Sequence, residues 1–304
     1  MPFSYDCRDV QAAEQASRLL GPYASRIESP VTALGFLHNQ ADERVSAYDS
    51  TELTVMCANP TMSSRNFYTS EDYSEQNPTW HREDSPWKAE QILRVMELPG
   101  NDRPLRICDI GCGVGGVIAA LDELLAERNI DALLAGYDIA PIAIDSARRI
   151  WRDRERLVFE CVDALSRDRL DYDLCLLMDV LEHLEDPRGF LRALKARGIQ
   201  DCIVHLPLEN NWLAIMRGRT DPRRSRVGHL HFYDTHSALS MLERAGLQIT
   251  KWVYTPELDL DIRLHKTFRS IMAYLPRKAL LSLWPAMSVH TIGGAALMAR
   301  GSFK

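Results

Sequence analysis

Residues 105–116 read Leu-Arg-Ile-Cys-Asp-Ile-Gly-Cys-Gly-Val-Gly-Gly, and no other stretch narrows the fold so far. A short apolar run reaches an acid, Asp109, then passes through Gly111, Gly113 and Gly115 into the helix-like segment VIAALDELLAERN. Glycine belongs where a backbone turns with positive φ and a ligand comes closer than a Cβ would allow. Strand, glycine turn and helix together open a nucleotide-binding α/β sheet.

The glycines by themselves leave two readings open. Gly111, Gly113 and Gly116 also fit the dinucleotide pattern G-x-G-x-x-G, in which the turn and the helix N-terminus face a pyrophosphate. Asp109 weighs against it, because a carboxylate at the strand end repels such an anion and favours a cation. A ligand with an amino group and a sulfonium fits, and S-adenosylmethionine is such a ligand. The plainer alternative is that Asp109 only caps the following turn.

Acids recur at the ends of the apolar runs downstream. ALLAGYD ends at Asp138 and leads into PIAIDSARRIWRD, a helix opened by Pro141 at its first turn. An acid at the end of a second strand is placed to accept from both ribose hydroxyls. RLVFECVDAL ends at Asp163-Ala164, where an acid can accept from an adenine amino group. DYDLCLLMDVLEHLEDPRGFLRAL follows with Asp179, Glu182 and His183, and DCIVHLP is a fifth run. Five apolar strands, each followed by a helical pattern, imply a parallel sheet covered on both faces.

DIGCGVG, YD, VDA and DVLEHLEDP, in this order and spacing, resemble the class I S-adenosylmethionine-dependent methyltransferases, in the branch with an E-H-(hydrophobic) signature after strand four. The resemblance runs over residues 86–255, and more loosely over the C-terminal GGAALMAR. It implies a seven-stranded, mostly parallel, doubly wound (Rossmann-like) α/β sheet whose last strand lies antiparallel beside the fifth. It also implies that Asp109, Gly111, Gly113 and Gly115 line the methionine part of the cofactor. By the same resemblance Asp138 takes the ribose, Asp163 and Ala164 the adenine, and Asp179 floors the transfer site. The product is then S-adenosylhomocysteine.

Two other function classes compete. A nicotinamide oxidoreductase would need its Tyr-x-x-x-Lys pair, which occurs only as Tyr274 and Lys278. Pro276 between them predicts that no regular helix carries both. The other is a regulatory protein that binds S-adenosylmethionine without catalysis. With 304 residues and 46% apolar content, the chain can build one large core plus an appended segment. No run approaches the ~18–20 apolar residues of a membrane helix, and MPFSYDCRDV has no basic-then-apolar leader. The expectation is a cytoplasmic enzyme without stable membrane insertion. Seven cysteines, of which Cys108, Cys161, Cys175 and Cys202 lie in strand runs and none in C-x-x-C, read as buried free thiols. A net charge of −6 argues against a nucleic-acid partner.

Residues 1–85 are expected to form an N-terminal cap and substrate-binding segment, and residues 86–304 the core, with an insertion at 208–234. The stretch 58–85, rich in Asn, Ser, Thr, Pro and aromatics, is too long for a passive connector. Tyr68, Tyr73, Trp80, His81 and Lys88 are the candidates to touch cofactor or acceptor, with plain packing on the core as an equal alternative. Ser85 at the N-cap and Pro86 at the first position open the next helix. In the insertion, Arg217, Arg219, Arg223, Arg224 and Arg226 read most simply as a solvated loop. The sharper reading is a clamp for a phosphate- or acid-bearing acceptor. A helix follows from Asp234-Thr235 to Gly246. Residues 263–284 form two amphipathic stretches broken at Pro276. They suit a membrane surface or a homodimer interface, with packing on the core or over the acceptor pocket the plainer account.

Methyl transfer from a sulfonium is an in-line displacement that asks mainly for alignment at about 3–3.5 Å in a dry pocket. A hydroxyl acceptor must also lose a proton, work suited to histidine near neutral pH. His183 is the first candidate and His229 the second; His231 reads as a packed structural histidine. Asp179, Glu182 and His183 at i, i+3 and i+4 would share one helical face and suit a hard cation. Ubiquinone-pathway O-methyltransferases with this signature include magnesium-dependent members. Acids at helix starts also arise from dipole and capping alone, so no metal is assigned. The expected reaction is methylation of a hydroxyl, ahead of an amine, on a small polar molecule such as a sugar or a secondary-metabolite intermediate.

Overall fold

The computed structural model describes residues 82–98, 103–221, 228–256 and 268–304. The expected cap, with Tyr68, Tyr73, Trp80 and His81, lies outside the described residues, as do Arg223, Arg224 and Arg226.

Seven strands make one sheet: β1 (Leu105–Ile110), β2 (Ala132–Asp138), β3 (Leu157–Cys161), β4 (Leu174–Met178), β5 (Asp201–Pro207), β6 (Leu247–Pro256) and β7 (Ala295–Phe303). Their order is β3-β2-β1-β4-β5-β7-β6. The first five pair in parallel, and β7 inserts antiparallel between β5 and β6. The described helices are α1 (Ser85–Val95), α2 (Gly116–Ala126), α3 (Pro141–Ile150), α4 (Pro187–Ala196), α5 (Trp212–Met216), α6 (Thr235–Arg244), α7 (Phe268–Leu283) and α8 (Pro285–Thr291). None of the described helices is long and apolar enough to cross a membrane.

Alternation along the strands explains the two-sided burial. Ile107, Leu134, Leu176 and Ile203 enter one cluster, with Ile92 and Val95 of α1, Ile118 and Leu121 of α2, and Ile144 of α3. Their neighbours Cys108, Ala135, Leu177 and Val204 enter the opposite cluster, with Leu191 and Leu194 of α4 and Met241 and Leu242 of α6. Each fully buried Leu or Ile contributes roughly 1.5–3 kcal/mol. The core therefore fixes where each strand ends. Because β1 pairs with β2 on one side and β4 on the other, the chain order reverses there. The crevice beyond the carboxyl ends of those strands is where such sheets take ligands.

Local punctuation follows the sequence with a few shifts. Pro141 opens α3, and Asp234 with Ser237 forms a reciprocal capping box at α6. At α1 the N-cap is Asp84 rather than Ser85, and Ser85 lies against Gly116 of α2. The third strand stops at Cys161. Asp163 instead caps a short 3-10 turn, accepting from Leu165 N at 3.0 Å. Five described cysteines are free thiols, but Cys161 is exposed rather than buried.

Pro276 does not break its helix, contrary to expectation: α7 runs through it, and Lys278 Nζ donates to Tyr274 Oη one turn back. A proline removes one N–H and crowds the carbonyl four residues earlier. Leu275 and Pro276 themselves are exposed.

Candidate active site

The turn from β1 into α2 is tied to the end of β2. Gly111 N and Cys112 N donate to Tyr137 O at 2.8 and 3.1 Å, and Gly113 N donates to Asp138 Oδ2 at 2.8 Å. Gly111 has φ 77°, and a Cβ there would meet Val180 Cγ2 at 2.7 Å. Gly115, φ 74°, is the N-cap of α2, and its Cβ would run into the ring of Phe159. Glycine is therefore required at 111 by the approach of the β4 loop and at 115 by core packing.

Beyond this turn lies a cavity of about 590 Å³. Asp109, Gly111, Gly113, Asp138, Asp163, Ala164, Asp179, His183 and His229 all line it. Of the residues expected to meet cofactor or acceptor, Gly115 is set back from it. Arg217, Arg219, Tyr274 and Lys278 are also absent from its walls. The oxidoreductase pair is thus excluded by its place rather than by a broken helix.

Asp109 does not cap the turn. It is 1% exposed and its Oδ1 has no hydrogen-bond partner. Burial, and then the charge of Asp138, push its carboxyl up to about 7, with Lys88 pulling the other way. Asp138 is raised by burial, offset in part by backbone hydrogen bonds from Ala140 and Gly113. It accepts from Ala140 N through Oδ1 at 2.8 Å and from Gly113 N through Oδ2. A carboxylate has about four acceptor sites, so both oxygens keep capacity toward the cavity.

Asp179 follows β4 at φ 55°. Asp179 Oδ2 meets Lys88 Nζ at 2.7 Å, and Oδ1 accepts from His205 Nδ1 at 2.5 Å. His205 Nε2 in turn reaches Thr255 Oγ1 at 3.0 Å. Burial alone would raise the Asp179 carboxyl, but His205 and Lys88 outweigh it and hold the group well below the usual carboxylate range. Lys88 also pairs with Asp84 at 2.9 Å. The expected shared face of Asp179, Glu182 and His183 is not formed, because a 3-10 turn over Leu181–His183 replaces the regular helix.

The 3-10 turn has a different partner. Glu182 O accepts from Leu230 N at 2.8 Å and His231 N at 3.1 Å, which binds the 228–231 loop to it. His183 and His229 consequently face each other, ring centroids 4.8 Å apart. His183 Nδ1 donates to Gly228 O at 3.3 Å, and His229 Nδ1 donates to Glu209 Oε2 at 2.6 Å. Burial first, then His229, lower His183 to about 4. Glu182 is fully buried, and neither of its carboxylate oxygens has a hydrogen-bond partner. Burial and the charge of Asp179 push its carboxyl well above the ordinary range. His231 donates Nε2 to Leu184 O at 2.9 Å and stacks on Tyr233, the packed role expected for it.

Sequence reasoning missed Glu209 and His205. Glu209 lies two residues past the end of β5, so the rule that strand-end acids line the crevice would have found it. His205 was signalled only as a histidine inside an apolar strand, CIVHLP.

Comparison with known proteins bears on this geometry. A family model described as a methyltransferase domain matches residues 80–251. The ubiquinone biosynthesis O-methyltransferase of Methylocella silvestris is 37% identical over 116 residues, covering 36% of this chain and 42% of the relative. The match therefore spans less than half the relative's length. Phosphoethanolamine N-methyltransferase 2 of Haemonchus contortus, solved with S-adenosyl-L-methionine, is similar in fold at a TM-score of 0.53 and 13% identity. It covers 81% of this chain and 60% of its own. Magnesium protoporphyrin IX methyltransferase of Synechocystis PCC 6803 gives 0.50 and 16%, over 79% and 98% of the two chains.

Proposed function

The chain belongs to the methyltransferase-domain family, and on that premise we propose that it moves the methyl group of S-adenosylmethionine to a hydroxyl of a small molecule. One observation carries the reading. A single cavity joins the unpaired buried carboxylate oxygen of Asp109 at one wall to the His183–His229 pair at another. An orphaned acid of this kind costs free energy until a cation or donor meets it, and an ammonium or sulfonium is the fitting ligand.

When bound, S-adenosylmethionine supplies a methyl on cationic sulfur, and attack by an acceptor oxygen forms the new bond as the C–S pair returns to sulfur. The chain's own work is placement. Gly111 and Gly113 let the ligand lie against the backbone, Asp138 offers acceptors for the ribose, and Asp163 with Ala164 borders the adenine side. Asp179, immobilised by Lys88 and His205, floors the transfer point. His183 and His229 stand where the acceptor hydroxyl is activated. A paired imidazole site suits a hydroxyl, which must shed a proton, better than an amine, which attacks as a neutral base. The acids and histidines set into the cavity wall favour a hydroxylated acceptor such as a sugar or a secondary-metabolite intermediate.

Labelled methyl transfer to a panel of hydroxylated and amine acceptors tests the reading. Transfer to hydroxyl compounds is expected, falling by ~10²–10⁴-fold in His229→Ala while S-adenosylhomocysteine still binds. Transfer to amines alone would overturn it.

A further inference from the structure

We propose that the acceptor carries a cationic amine, and that Glu182 is the side chain that binds this amine while the acceptor's hydroxyl takes the methyl group. The assignment deepens the methyl-transfer reading and rests on it for the hydroxyl, but the amine site has evidence of its own.

Charge in the cavity is one-sided. Among the described residues of its wall, seven are Asp or Glu, and Lys88 is the one Lys or Arg. Lys88 is itself held between Asp84 and Asp179. A cleft lined by one sign of charge concentrates ligands of the other. The cofactor end takes Asp109, Asp138 and Asp163, which leaves Asp179, Glu182 and Glu209 toward the histidines. Two of these three are committed. Asp179 meets Lys88 and His205, and Glu209 accepts from His229 Nδ1.

Glu182 is not committed. It is completely buried, lines the cavity, and neither oxygen has a hydrogen-bond partner. His183 Nε2 stands 3.9 Å from its Oε1, beyond hydrogen-bond reach. A buried acid with empty acceptor sites costs free energy until a donor meets it. Burial and the charge of Asp179 push the carboxyl well above its ordinary range, with Glu209 adding to the rise and Lys88 opposing it. His183 and the buried Tyr233 hydroxyl are the other titratable groups beside it. An incoming ammonium favours the ionised form and displaces the proton.

The field decides between an amine and a second hydroxyl. A neutral hydroxyl gains only its hydrogen bond to Glu182, whereas an ammonium gains from Asp179 and Glu209 as well. With its lone pair held by a proton, the amine cannot attack the sulfonium methyl. Transfer is therefore left to the hydroxyl.

Calorimetry on the full chain, with S-adenosylhomocysteine bound and EDTA present, tests the site with matched probes. Tyramine is set against tyrosol and glucosamine against glucose, each pair differing by an ammonium in place of a hydroxyl. In at least one pair the amine is expected to bind about tenfold more tightly or better. It is also expected to release a proton, read in buffers of different ionisation enthalpy. Glu182→Gln keeps the shape and loses the charge. It should abolish both the preference and the release, while S-adenosylhomocysteine binds as before and reports a folded chain. Equal binding within both pairs, no binding of either amine, or a preference that survives Glu182→Gln overturns the amine site. Labelled transfer to the preferred amine separates the two readings. A methyl found on nitrogen rather than oxygen overturns the hydroxyl reading and not the binding role of Glu182.

Discussion

Lys88 Nζ stands 2.7 Å from Asp179 Oδ2, and this one contact pins α1 to the end of β4 directly beneath the cavity. Asp84 holds the same ammonium from the other side, and burial alone would lower the lysine while these two acids keep it raised above its ordinary value. Asp179 has a left-handed backbone, and both its carboxylate oxygens are occupied.

Removing the cation should therefore hurt more than a surface ion pair would. Lys88→Met leaves the partly buried Asp179 with His205 alone, and a loss larger than the roughly 1 kcal/mol of a surface pair is expected in urea unfolding. The double variant Lys88→Met with Asp179→Asn should recover part of it. A single variant within about 1 kcal/mol of the parent would show that the pair is not structural.

Cofactor affinity should depend on pH through Asp109. Burial raises its carboxyl to about 7 in the free protein, which brings its titration into the neutral range. A cationic ligand favours the ionised form and lowers that value, so binding expels a proton. Affinity for S-adenosylmethionine should rise as pH increases toward 7, by at most about tenfold per unit, and level off above it. Calorimetry in buffers of different ionisation enthalpy reads the proton directly. Asp109→Asn should weaken binding and abolish the dependence.

The two glycines with different constraints should separate in experiment. Gly111→Ala puts a methyl against Val180 at the cavity wall and should cost S-adenosylhomocysteine affinity more than stability. Gly115→Ala drives into Phe159 in the core and should cost stability first, by about 2 kcal/mol or more. Thermal unfolding paired with calorimetry distinguishes them. The opposite pattern would reverse the roles given to the two positions.

Much of this was legible in the chain because local chemistry decides it. The run of apolar strands ending in Asp109, Asp138 and Asp179 set the sheet and its crevice, and Pro141 and Asp234 set helix starts. What stayed hidden depends on contacts distant in sequence. Whether Asp179 shared a face with Glu182 and His183 turned on a 3-10 turn over Leu181–His183, and a regular helix was the natural but wrong extrapolation. Glu209 and His229 meet His183 only because Glu182 O captures the 228–231 loop. Pro276 looked like a break because the rule against proline inside a helix weakens where the helix is exposed.

Calorimetric titration with S-adenosylhomocysteine tests the central claim most directly. A saturable binding heat that weakens in Gly111→Ala is the predicted result. No heat for that ligand or for S-adenosylmethionine, with saturable heat for NADH, would contradict it.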